Sequence, residues 1–167
     1  MIWMCILDYV RKEFNDALKR RCYERSCKLK LDGLSNCVVL DGERLRRDKR
    51  LRSYVNKKIC DCIIFAEGDD IGNVIGIIEL KSKVVHCGDV VKKFVNGTEL
   101  VSKILKGAGV SIARFQLYHI VLAKSWNGSE FRMMGFKGKI MFEGRKYHVI
   151  PKSCGESFLN VIENFKA

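Results

Sequence analysis

A chain of 167 residues with 47% hydrophobic residues and a single proline is long and apolar enough for one domain with a substantial core, which excludes disorder. No apolar run is long enough to span a bilayer, and no stretch combines a strongly basic helical face with aromatic anchors, so a membrane is set aside as partner. A formal charge of +12, from 31 basic and 19 acidic residues, instead puts polyanions first.

The N-terminal stretch MIWMCILDYVRKEF is apolar but short, and it runs into charged amphipathic sequence without a small-residue cleavage site. It reads as a helix of the fold rather than a signal peptide. Over residues 2–25, Ile2, Trp3, Ile6, Leu7, Val10, Phe14, Ala17 and Leu18 make one apolar stripe at helical spacing. Glu13 lies within that stripe, and Glu24 projects the same way further along. An acid on a packed side needs a partner; for Glu13 an Arg or Lys at the edge would serve.

Residues 28–52 contain one short strand, 37–40, and the turn Asp41-Gly42. ERLRRDKRLR follows, with Arg44, Arg46, Arg47, Lys49, Arg50 and Arg52 in ten residues. Such a run is either a solvated face or, beside a phosphodiester site, a phosphate-contacting segment. So charged a segment is not expected to be well ordered by itself.

Residues 59–83, ICDCIIFAEGDDIGNVIGIIELKSK, hold two runs dense in Ile, Val and Phe around the Gly- and Asp-rich AEGDDIG. This is the pattern of a β-hairpin of central strands, apolar on both faces. With the reversal centred near Asp70, Asp61 falls opposite Glu79 and Ile59 opposite Lys81, while Glu79 and Lys81 share a face. Opposed like charges about 5 Å apart are destabilising. Two carboxylates so placed call for a cation, or for a buried ion pair with Lys81. A divalent cation on two carboxylates, with a lysine to orient water or offset growing charge, suits phosphodiester hydrolysis.

Residues 89–106 form an amphipathic helix, with Asp89 as N-cap and a kink or break at Asn96-Gly97. Residues 114–124, RFQLYHIVLAK, make a further central strand, in which His119 reads as a packed, hydrogen-bonded residue. After a turn at Trp126-Asn127-Gly128, residues 132–150 read as two edge strands joined at Glu143-Gly144, basic through Lys137, Lys139, Arg145 and Lys146. Pro151 stops them, and a helix over 153–166 closes the chain.

Eight cysteines without a secretion signal point to a reducing, cytoplasmic compartment. Their spacings do not reproduce the paired C-x2-C of a zinc site. They read mostly as small buried hydrophobes, with Cys60 and Cys62 pointing away from Asp61.

Asp61 on one strand and Glu79-Leu80-Lys81 on the next resemble the signature of the PD-(D/E)xK nuclease superfamily, with Cys60 where that family often has proline. The element order resembles its α-β-β-β-α-β core over residues 2–124, leaving 125–167 as an elaboration of a single domain. The resemblance implies an α/β, restriction-endonuclease-like fold, a mixed sheet sandwiched by helices, with a C-terminal hairpin and helix. It implies Mg²⁺ or Mn²⁺ on Asp61 and Glu79, Lys81 assisting the water, and a helical Glu beside the metal, for which Glu13 is the candidate. Nucleic acid, DNA ahead of RNA, would lie along the basic run and Lys83, and a homodimer is compatible with this. The alternatives are a non-catalytic nucleic-acid-binding protein with a degenerate nuclease fold, and a structural or regulatory protein whose cysteines bind metal.

Overall fold

The Ile- and Val-rich runs assemble into one mixed sheet of seven strands in a computed structural model that describes residues 5–82 and 85–165. In chain order the elements begin with α1 (Ile6–Glu13), β1 (Leu18–Lys19), β2 (Cys22–Glu24), β3 (Cys27–Leu29), β4 (Asn36–Asp41) and the short α2 (Gly42–Arg46). Then come β5 (Cys62–Gly68), β6 (Gly72–Lys81), α3 (Cys87–Gly107), β7 (Gln116–Ala123), α4 (Gly128–Lys137), β8 (Lys139–Phe142), β9 (Arg145–Ser153) and α5 (Phe158–Phe165). The sheet order is β1-β4-β5-β6-β7-β9-β8. Neighbours from β1 to β6 are antiparallel, β6-β7 and β7-β9 are parallel, and β8-β9 is antiparallel.

Strand alternation divides the core in two. Ile63, Phe65, Ile75 and Ile77 face α1 and α3, where they meet Leu7, Val10, Phe94 and Val101. Cys62, Ile64, Val74 and Ile78 face the other way, against Phe158, Val161 and Ile162 of α5 and Cys22, Cys27 and Leu29 of the small β2-β3 hairpin. The second face is therefore covered partly by a hairpin and not by helices alone. Helix α3 runs unbroken through Asn96-Gly97, because Gly97 is a packing position. A Cβ there would lie 3.0 Å from Cys60 Sγ and 3.1 Å from Ile77 Cγ2, so glycine lets the helix sit close on the sheet.

Several expected elements differ. Helix α3 starts at Cys87, with His86 as its N-cap in place of Asp89. The last strand runs through Pro151 to Ser153, and the closing helix is Phe158–Phe165. Two further segments depart more widely. The helix over 2–25 is confined to Ile6–Glu13, with Ile2 and Trp3 outside the described residues. Beyond Phe14 the chain gains more from sheet pairing, Leu18 opposite Leu40, and from the cross-linked β2-β3 hairpin than from continuing an amphipathic helix. Residues 132–150 are not two edge strands. Asn127, read as a turn residue, caps α4 through its side chain, which accepts from Ser129 N. Strand β9 then lies inside the sheet, between β7 and β8.

The cysteines overturn the expectation of a reducing cytoplasm. Cys22 is bonded to Cys62 and Cys27 to Cys154, while Cys5, Cys37, Cys60 and Cys87 are free. Disulfides of this kind form and persist in oxidising surroundings, so an oxidising, non-cytoplasmic setting replaces it. Both bridges anchor the β2-β3 hairpin, which is too small to hold itself on the sheet. Spacing did not reveal them, because the partners are 40 and 127 residues apart. Loops of that size correspond to roughly 4 and 5 kcal/mol in the chain-entropy account. Alkylation of the unreduced, denatured protein should therefore label Cys5, Cys37, Cys60 and Cys87 alone. Reduction should lower the thermal midpoint by many degrees. Labelling of all eight cysteines would exclude both bridges.

Candidate functional site

The strongest cluster of buried charge lies at the start of β5 and the end of β6. Their register pairs Cys62 with Ile78 and Glu67 with Asn73, so the reversal centres on Asp70, and Asp61 lies just beyond the ladder as a neighbour of Glu79. Asp61 immediately precedes β5 but extends its pairing, since its N–H donates to Ile78 O at 3.0 Å. Its Oδ2 accepts from Leu80 N at 2.7 Å. Gly42 N donates to Asp61 O at 2.9 Å. That approach requires glycine, because a Cβ on Gly42 would lie 1.9 Å from Cys60 O. The β4–α2 junction thus holds the Asp61 backbone against β6.

Glu79 is only 1% exposed. Its Oε1 accepts from Lys93 Nζ at 3.1 Å and lies 3.9 Å from Lys81 Nζ, whereas Oε2 has no hydrogen-bond partner. The Asp61 carboxyl is a close neighbour of Glu79. Burial, then the adjacent Glu79 charge and that contact, push Asp61 up to about 7. A third carboxyl, Glu24 of β2, is raised chiefly by the neighbouring Asp61 carboxyl. Burial opposes the charge on Lys93, but the Glu79 carboxylate outweighs it and holds that lysine above its usual range. A cavity of about 360 Å³ opens beside these groups, lined among others by Lys19, Tyr23, Glu24, Asp41 and Asp61.

Of the residues expected at the site, Asp61, Glu79 and Lys81 come together. Glu13 does not join them. It sits at the end of α1, where its carboxylate takes Arg50 Nη1 at 2.9 Å, which is the edge ion pair. Lys83 lies outside the described residues. The basic run is ordered as α2 and a 3₁₀ segment, and several of its members are structural. Arg44 donates to Leu18 O at 3.2 Å, and Arg46 pairs with Glu43 and donates to Lys57 O. Arg50 holds Glu13 and Asp48 and stacks its guanidinium over Phe14. Arg47 reaches only Glu43 and is largely exposed, as are Lys49 and Arg52.

Cys60 and Cys62 do not share a face as expected. Cys60 packs under α3, while Cys62 joins Cys22 on the opposite side, because strand alternation starts only at Cys62. His119 is fully buried, its Nε2 2.8 Å from Thr98 Oγ1, and burial lowers its pKa to about 3.

Lys93 and Glu24 were missed. Lys93 stands with Val90, Phe94 and Gly97 on the packed side of α3, and a lysine on an apolar stripe is a signal for a buried acid. Glu24 carried the signal of an acid on the side of Glu13, but while its segment read as helix nothing placed it near Asp61. Among the described residues, no three His, Cys, Asp or Glu side chains are already grouped to hold a metal ion.

Since Asp61 titrates near 7 in the fold against an ordinary 3.8, its protonated form is the one the fold favours. Its contribution to stability is present in acid and lost as pH rises from about 4 through 7. In chelator, Asp61→Asn should flatten that decline and be more stable than the parent at pH 8 by on the order of 2 kcal/mol. Little difference is expected at pH 4. Urea unfolding at the two pH values measures this, and equal stability at pH 8 would contradict the close carboxyl pair.

Comparison with protein-family models, with curated proteins and with solved structures found no match, so a reading of the site rests on its own chemistry.

Proposed function

We propose that the protein is a metal-dependent nuclease that hydrolyses phosphodiester bonds, of DNA ahead of RNA. Asp61 and Glu79 would be the ligands of Mg²⁺ or Mn²⁺, and Lys81 the charged group beside the attacking water. The observation that carries the reading is Glu79 Oε2, a buried carboxylate oxygen without a partner, beside a second carboxyl. A buried carboxylate oxygen left without a hydrogen bond is costly, and an oxygen-only donor pair fits a hard divalent cation. The order of α1, antiparallel β4, β5 and β6, then α3 and parallel β7 is in keeping with the resemblance to the PD-(D/E)xK core.

When bound, the cation would supply a coordinated water of lowered pKa and polarise the phosphoryl oxygen. The protein's own groups carry the rest. Asp61 is held for this by the Leu80 and Gly42 amides, one on its carboxylate and one on its carbonyl. Lys93 offsets the negative charge of Glu79 through Oε1 and leaves Oε2 without a hydrogen bond. Lys81, on the same face and 26% exposed, can orient water and stabilise the negative charge that grows on phosphate.

One observation favours the second reading, a non-catalytic nucleic-acid-binding protein. Lys93 is closer to Glu79 than Lys81 is, so an ion pair already compensates part of the acid.

The two readings separate in an assay on single-stranded and duplex DNA and on RNA with Mg²⁺ or Mn²⁺. Asp61→Asn and Glu79→Gln should abolish both cleavage and thermal stabilisation by the cation, since a ligand bound only by the native state stabilises by mass action. Lys81→Met should abolish cleavage and leave cation stabilisation in place. Binding without cleavage by the parent protein would leave the binding module alone.

The polyanion contact is tested on side chains that the fold does not use. Replacing Arg47, Lys49 and Arg52 with Gln should weaken nucleic-acid binding and reduce its salt slope by about one unit per lost contact. An unchanged slope would make the segment a solvated face.

A further inference from the structure

Lys19, Arg20, Arg21, Arg25, Lys28 and Lys30 fall on the β2-β3 hairpin and its flanks, a second basic stretch outside the run at 44–52. Alternation turns Cys22, Cys27 and Leu29 onto the sheet and leaves Tyr23 and Lys28 on the outer face, directly opposite one another. Arg20, Arg21, Lys28 and Lys30 line a groove of about 240 Å³, with Asp32 among its walls. Among the described residues, none of these four side chains has an ion-pair or hydrogen-bond partner. Their charge is offered outward, unlike that of Arg44, Arg46 and Arg50.

Tyr23 distinguishes this surface from a merely solvated basic face. It is 52% exposed, and it lines the cavity that Asp61 also lines. Its ring thus links the basic groove, through Lys28, to the carboxylates. Lys19 Nζ lies 5.9 Å from the ring centre, although Asp41 takes that ammonium at 2.8 Å. Free cations suit phosphates, and an exposed aromatic face suits a base. A base inside a duplex is already stacked on both sides, so only an unpaired one can use the ring. The Cys22–Cys62 and Cys27–Cys154 bridges fix both strands of the hairpin to the sheet. The platform is therefore in place before a ligand arrives, and little ordering is lost on binding.

We propose that the outer face of the β2-β3 hairpin is the docking surface for a single strand of nucleic acid, with phosphates along Arg20, Arg21, Lys28 and Lys30 and an unpaired base on Tyr23. This rests on the nucleic-acid reading above and adds the strandedness of the ligand. It needs neither the cation nor cleavage.

The test is fluorescence anisotropy on the full oxidised chain in chelator, with a labelled oligothymidylate of about 16 nucleotides and a duplex of the same length. The single strand should bind several-fold more tightly. Tyr23→Ala should weaken single-strand binding roughly tenfold and leave its salt slope and the duplex affinity unchanged, with Tyr23→Phe restoring the parental value. Arg21→Gln, Lys28→Gln and Lys30→Gln together should reduce the single-strand salt slope by about 0.7 unit per lost contact. All four residues are exposed, so the thermal midpoint should not move. If the parent binds the oligonucleotide and all these variants bind like it, the hairpin is not the docking surface and the nucleic-acid reading stands without it. Duplex binding as tight as single-strand binding, with Tyr23→Ala silent, would overturn the stacked base. Binding to vesicles of anionic phospholipid and to neither oligonucleotide would make the surface a lipid contact and overturn both readings. If the variants lose binding in a protein that never cleaves, the docking surface stands and the nuclease reading falls.

Discussion

The central constraint in this protein is a carboxylate on an interior strand. Glu79 lies on β6, between β5 and β7, and its neighbours on that strand are Ile77, Ile78 and Leu80. A charge there must be compensated by groups brought from elsewhere. Lys93 comes from α3 and Lys81 from the same strand, but a second carboxyl, Asp61, comes from the facing one. The arrangement places a second acidic group where an ordinary core would place a basic or an apolar one. Much of the surrounding geometry, including the glycine contact at Gly42 and the amide of Leu80, holds Asp61 in that uncomfortable position.

The opposite face of the sheet answers a different need. Helix α5 covers only part of it, and the β2-β3 hairpin covers the part beside the site. That hairpin has three residues per strand, too little apolar surface to dock firmly, and two disulfides supply what packing does not. The Cys22–Cys62 bridge also joins the segment that carries Glu24 to the one that carries Asp61.

The basic charge divides into two kinds. Arg44, Arg46 and Arg50 satisfy carbonyls and acids that join α1, α2 and the following 3₁₀ turn. Arg47, Lys49 and Arg52 face solvent. An excess of +12 thus overstates the charge offered to a polyanion from this segment, because part of it is consumed inside the fold.

What the sequence by itself determined was local and periodic. Two Ile-rich runs around AEGDDIG specified the β5-β6 hairpin and the centre of its reversal near Asp70, which brings the start of β5 to the end of β6. The long helix α3 and strand β7 were legible for the same reason. Tertiary structure decided what depends on distant segments meeting. Residues 14–24 left their helical period for strands because Leu40, Cys62 and Cys27 offered partners. Glu13 went to Arg50 rather than to the carboxylates, and Glu24, on a segment misread as helix, went to Asp61. Periodicity reports which face of an element is apolar, but only the closed fold reports which charged groups share the space behind it.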